Sequence, residues 1–166
     1  MVGKRAILAG AAVLLLSTTA WADECPAVAK SIMAVQALPG FHQKVTLTPE
    51  GKPPTEMEMI TLGDAVYMKF ADKPWRKQAL TAAARKEMTA TMMKTMMPTD
   101  CTIVGSETID GVPTTIYSFQ QPNAAKKGEL IDIKMWVAQS DGLPRKSLSK
   151  ISATTFSYDN LAAPIP

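Results

Sequence analysis

One histidine, His42, is all the imidazole in the 166 residues, and most routes to hydrolytic or metal chemistry go with it. The chain has no Gly-x-Ser-x-Gly elbow and no His-Glu-x-x-His pair, so it builds neither the nucleophile of a serine hydrolase nor the ligand set of a zinc protease. His42 alternates with strand residues and is expected to face solvent rather than to act as a base. Glu56 and Glu58 share a strand face, but neighbouring lysines and a polar turn mark that face as solvated rather than catalytic. There are two cysteines and no Cys-x-x-Cys, which excludes a thioredoxin-like redox motif. No run of Lys and Arg interleaved with aromatics is present to neutralise phosphates, so nucleic acid is excluded as a partner. The longest apolar run holds about a dozen residues, short of the roughly 20 needed to cross a bilayer as a helix.

That run belongs to the N-terminus. Lys4 and Arg5 precede an apolar stretch at residues 6–16, and Ala20-Trp21-Ala22 follows as a small-x-small cleavage site. Residues 1–22 therefore read as a cleaved secretory signal peptide directing the chain to the periplasm. Cys25 lies just beyond, but Asp23 and Glu24 before it do not suit a lipid-attachment box. Without those 22 residues, 16 basic side chains stand against 15 acidic ones, and residues 23–166 suit one domain with one core. In an oxidising compartment the pair Cys25 and Cys101 is expected to form a disulfide.

The elements follow from periodicity. Residues 26–38 read as a helix, with Pro26 in the first turn, Val28, Ile32, Val35 and Leu38 on one side, and Pro39-Gly40 as the stop. A meander of three strands follows, in which Phe41, Gln43, Val45 and Leu47, then Met57 and Met59, then Val66, Met68 and Phe70 share faces. From Leu80 the period changes to about four through Ala84, Met88, Met92 and Met96, a helix of about 18 residues stopped by Pro98. It holds Met88, Met92, Met93, Met96 and Met97, five of the eleven methionines. Strands return from Cys101, turn at Asp110-Gly111 and pair back to Gln120. The strongest hairpin comes last. Ile131, Ile133, Met135 and Val137 alternate with Asp132, Lys134, Trp136 and Ala138. Asp141-Gly142 with Pro144 then reverses the chain into a strand running from Lys146 on to Phe156 and Tyr158. The fold class is α+β: a curved antiparallel sheet, a half-barrel of about seven strands, covered by two helices.

Several short stretches, in order, carry a resemblance. They are Gly63-Asp64-Ala65-Val66-Tyr67-Met68-Lys69, Pro74-Trp75, Gly105-Ser106-Glu107-Thr108-Ile109-Asp110-Gly111-Val112-Pro113-Thr114, Met135-Trp136-Val137, Asp141-Gly142-Leu143-Pro144-Arg145-Lys146 and Tyr158-Asp159-Asn160. Together they resemble the periplasmic lipoprotein-carrier superfamily, the outer-membrane lipoprotein-sorting proteins and their mycobacterial lipid-carrier relatives. The resemblance implies an unclosed barrel with a helical lid that binds acyl chains in an apolar cavity. An arginine holds that lid closed in the carriers, and Arg76 and Arg145 are its positional candidates here.

On this reading the ligand-binding candidates are the inward groups of the sheet and of the second helix: Val45, Met57, Met59, Val66, Met68, Ile133, Met135, Met88 and Met92. Ordinary core packing accounts for the same residues equally well. Two other functions stay open. Thioether sulfur is a soft ligand, so Met88, Met92 and Met96 at i, i+4 and i+8 form an alternative Cu(I) site. The domain is otherwise an interaction scaffold for another envelope protein. The expectation is a monomeric, non-enzymatic periplasmic protein that binds a lipid or other hydrophobic ligand and needs no cofactor or resident metal.

Overall fold

The computed structural model describes residues 23–123 and 126–164. The expected signal peptide, residues 1–22, lies outside them. The chain starts with α1 (Cys25–Ala37), continues through β1 (Gly40–Leu47), β2 (Thr55–Leu62), β3 (Ala65–Phe70) and β4 (Arg76–Ala79), and enters α2 (Ala82–Thr95). Five strands follow: β5 (Thr99–Ile109), β6 (Val112–Pro122), β7 (Leu130–Ala138), β8 (Pro144–Ser149) and β9 (Ser152–Ser157). All nine strands form one antiparallel sheet in the order β4-β3-β2-β1-β9-β8-β7-β6-β5, which does not close: β4 and β5 are its two edges.

The sheet has nine strands, not about seven, for two local reasons. Arg76, Lys77, Gln78 and Ala79 show no apolar alternation because they form an edge strand exposed along its whole length, yet they pair in register with β3. The strand expected to run from Lys146 to Tyr158 is also broken, since Ser149 Oγ accepts hydrogen bonds from the backbone N–H groups of Ile151 (3.2 Å) and Ser152 (3.1 Å). A serine hydroxyl makes this reversal without glycine or proline. By contrast the Asp110-Gly111 turn is as expected, with φ of 49° and 80°, both in the left-handed region that a tight hairpin demands.

Each helix begins and ends for identifiable reasons. In α1, Pro26 sits in the first turn, where its missing N–H costs nothing, and Leu38 leaves the helix in an extended conformation ahead of Pro39. The Oγ1 of Thr81 caps α2 by accepting the N–H of Ala84 at 3.2 Å. The helix then runs 14 residues, shorter than the expected 18, because Thr81 is already its N-cap and the chain leaves it at Met96.

Val28 of α1 is fully buried against Cys101, Phe119, Met135 and Val137, with Cys25, Ile32, Tyr117 and Ile133 packed around them. Burial of such side chains contributes about 1.5–3 kcal/mol each, so this cluster holds α1 on the β5–β7 end of the sheet. The disulfide between Cys25 and Cys101, with Cα atoms 4.9 Å apart, ties the start of α1 to β5. The other face of the sheet has its own contacts around Trp136, whose indole N–H donates to Glu107 Oε2 at 2.7 Å while Lys146 Nζ lies 4.7 Å from the ring centre.

Candidate functional site

Register shows which side chains share a face, because directly opposed residues of neighbouring strands point the same way. One row runs Tyr117, Met135, Ser147, Thr154, Val45, Met57 and Phe70 across β6, β7, β8, β9, β1, β2 and β3. A second runs Phe156, Gln43, Met59, Met68 and Arg76 across β9, β1, β2, β3 and β4. Met135 packs against α1, so both rows lie on the helical face. Val45, Met57, Met59, Val66, Met68, Ile133 and Met135 therefore all fall on one side of one sheet.

They do not share one environment. Met135 is 3% exposed and Ile133 packs beside it, so both are taken up by the core beneath α1. Val66 is buried as well. Val45, Met57, Met59 and Met68 are only half-buried, and Phe70 at the end of the row is 46% exposed. The helical face is thus filled by α1 over one half and buried again along the row Phe41, Thr61 and Val66, while between them Val45, Met57, Met59, Met68 and Phe70 of β1–β3 are incompletely covered. Between Met135 and Val45 the first row passes through Ser147 and Thr154, both small and half-buried.

Helix α2 has no fully buried residue. A hollow of about 570 Å³ separates it from α1, between Met33, Gln36 and Ala37 on one side and Arg85, Thr89 and Met93 on the other. A groove of about 560 Å³ runs along the side bearing Ala84, Met88, Thr91, Met92 and Met96. The expected stripe at every fourth residue drifts round the helix, because four residues turn about 40° more than one full turn. Met88 is consequently 60% exposed, whereas Met92 and Met96 are half-buried with Arg85, Thr89 and Met93. Another hollow, about 920 Å³, opens beside the disulfide among Pro26, Ala29, Met97, Pro98 and Cys101, and no sequence pattern announced it.

The ties on α2 also differ from those expected. Arg145 pairs with Asp141 Oδ2 and stacks 4.9 Å from the Tyr158 ring, and Arg76 is exposed on the edge strand. The arginine that joins the two helices is Arg85, which donates from Nη1 to the carbonyl of Leu38 at 3.2 Å. That carbonyl lies just past the end of α1, where a helix leaves unsatisfied acceptors and favours a cation. At the other end of α2, Gln121 Nε2 donates to the carbonyl of Met96 at 3.0 Å. Sequence reading missed both residues because side-chain bonds to backbone carbonyls leave no periodic signal.

The remaining polar candidates lie elsewhere. His42 is on the outer face, 19% exposed, with Nε2 3.2 Å from Glu58 Oε2. It is shielded rather than facing solvent because β1 lies inside the sheet, flanked by β2 and β9. Among the described residues, one group of three candidate ligands of the His, Cys, Asp and Glu kind comes together, Asp23, Cys25 and Cys101. Both of its sulfurs are in the disulfide, which removes the thiolates a metal would need.

At the level of sequence, no family model and no curated protein matches the chain. Solved structures do. The Mycobacterium tuberculosis lipoprotein LppX is similar over 80% of this chain and 92% of its own, at 16% identity and a TM-score of 0.49. A LolA superfamily protein from Nitrosomonas europaea matches over 81% of this chain and 91% of its own, at 7% identity and a TM-score of 0.33. LprF from Mycobacterium bovis covers 86% of this chain and 94% of its own, at 16% identity and a TM-score of 0.51. The antiparallel, unclosed sheet with two helices on one face is a lipoprotein-carrier-like fold.

Proposed function

We propose that the protein is a non-enzymatic carrier of the cell envelope that binds the apolar chain of a lipid or acylated molecule on the β1–β4 half of its helical face. The observation that carries this reading is the half-buried set Val45, Met57, Met59 and Met68, on the same face as the core beneath α1 yet not taken up by it. Methionine suits such a wall, being apolar, unbranched and able to repack around chains of different shape. Each methylene laid on it contributes roughly 0.8 kcal/mol, so even partial cover gives useful affinity. The half-buried Met92 and Met96 of α2 close over the chain, and release follows when α2 moves away. The carrier-like fold supports the reading, as do the disulfide, which fits an oxidising compartment, and the absence among the described residues of any helix long and apolar enough to cross a membrane.

Native mass spectrometry of protein purified from the periplasm is the direct test. Co-purified lipid should be found, and Met59→Asp should release it while leaving the circular dichroism spectrum intact. A wild-type protein that carries no lipid and takes up none when offered it sinks the proposal.

A further inference from the structure

The open end of the uncovered face holds a groove of about 200 Å³ lined by Met68, Phe70, Lys73, Pro74 and Arg76. Its walls are apolar, two of its five residues are cationic, and no carboxylate lines it. Arg76 is directly opposed to Met68, which is opposed to Met59, so the guanidinium sits at the head of the methionine row on the helical face. Lys73 is held at the rim by a tight turn, its N–H donating to the carbonyl of Phe70 at 2.9 Å, with Ala71 at a φ of 46°.

Other cations nearby belong to the opposite face: Lys69 is opposed to Glu58 there, and Lys77 Nζ lies 5.7 Å from the centre of the Tyr67 ring. Lys73 and Arg76 make no ion pair among the described residues. The neighbouring acid, Asp72, is exposed and outside the groove. At about 200 Å³ the space falls below the usual size of a small-molecule site, giving room for a headgroup and the first methylenes, with the chain continuing along the row.

Resting on the carrier reading above, we infer that the ligand is an anionic amphiphile whose carboxylate or phosphate is held by Lys73 and Arg76 while its alkyl chain runs inward over Met68 and Met59. A guanidinium beside a compact ammonium suits such an anion, because charge-assisted hydrogen bonds to carboxylate and phosphate are roughly twice as strong as neutral ones. The cations thereby set which end of the molecule enters first.

Titration calorimetry with lipid-stripped protein tests this, using laurate, 1-dodecanol and inorganic phosphate as probes at a pH of about 8, where the free carboxylic acid is ionised. Laurate should bind roughly tenfold more tightly than dodecanol. The double variant Lys73→Gln with Arg76→Gln should lose that tenfold and leave dodecanol binding unchanged, with Arg76→Lys losing only part of it. Raising salt from about 0.05 to about 0.5 M should weaken laurate alone. Equal affinity for the two chains in the wild type, or laurate binding untouched in the double variant, overturns the headgroup assignment and leaves the carrier reading standing. Phosphate that binds without a chain and competes with laurate overturns it too, since the site then takes a free anion. If neither laurate nor dodecanol binds, the carrier reading falls and the inference with it.

Discussion

Two residues show how closely the sheet and its flanking segments are fitted. A Cβ added at Gly40 would stand 2.9 Å from Leu161 Cδ1 and 3.1 Å from the carbonyl oxygen of Thr61. The leucine can move, but the backbone oxygen cannot. Gly40→Ala should therefore cost about 1–3 kcal/mol in urea unfolding, and adding Leu161→Ala should not restore the wild-type midpoint. Tyr158 donates its hydroxyl to the carbonyl of Pro144 at 2.5 Å, and burial holds its pKa well above the ordinary 10.0, with the Arg145 charge pulling the other way and Asp141 adding to the rise. The folded protein thus keeps the phenol neutral at a pH where the unfolded chain ionises it. The resulting stability is fully present below about pH 10 and is lost as pH rises above it. Replacing Tyr158 with Phe should lower stability by about 1 kcal/mol at neutral pH yet make the alkaline decline shallower. Tyr117, also raised by burial and by Glu24, keeps that decline from vanishing.

Among the elements, α1 and α2 are held by different means. The first is fixed by the Val28 cluster and the disulfide, while the second hangs on a few polar contacts and half-buried methionines. Removing the disulfide with Cys25→Ser and Cys101→Ser, 76 positions apart, should lower stability by about 2–4 kcal/mol, read from denaturant midpoints. Arg85→Ala should act locally. Losing its bond to Leu38, worth about 1 kcal/mol, should speed amide exchange in residues 82–95 several-fold while leaving β6 and β7 unaffected, and Arg85→Lys should recover part of the protection.

The same contrast explains what was legible in the chain. The helix from Pro26, the Asp110-Gly111 turn and the Met135–Val137 alternation were readable because each rests on local backbone chemistry or on a period. Edge strand β4 was missed because an edge need not alternate, and the Ser149 turn because a hydroxyl did the work usually given to glycine. On the site, alternation placed the sheet residues on one face. It could not say which of them α1 would cover, since that depends on where Val28 lands. Arg85 was missed because it serves a carbonyl distant in sequence.

At the scale of the whole molecule, the sheet is two local meanders joined once. Strands β4, β3, β2 and β1 are neighbours in sequence and in space, as are β9 through β5, apart from the one junction where β1 meets β9 and His42 pairs with Ser157. Every other ladder is a hairpin between consecutive strands. Hairpins form on a microsecond scale, whereas contacts between distant parts of the chain must first overcome the entropy of closing a long loop. Within the sheet, the β1–β9 pairing is therefore the one that has to close a long loop. The β1–β9 seam also borders the small residues Thr154 and Ser147, so its closure is what brings the half-buried Val45 and Met57, the proposed ligand wall, alongside the core beneath α1.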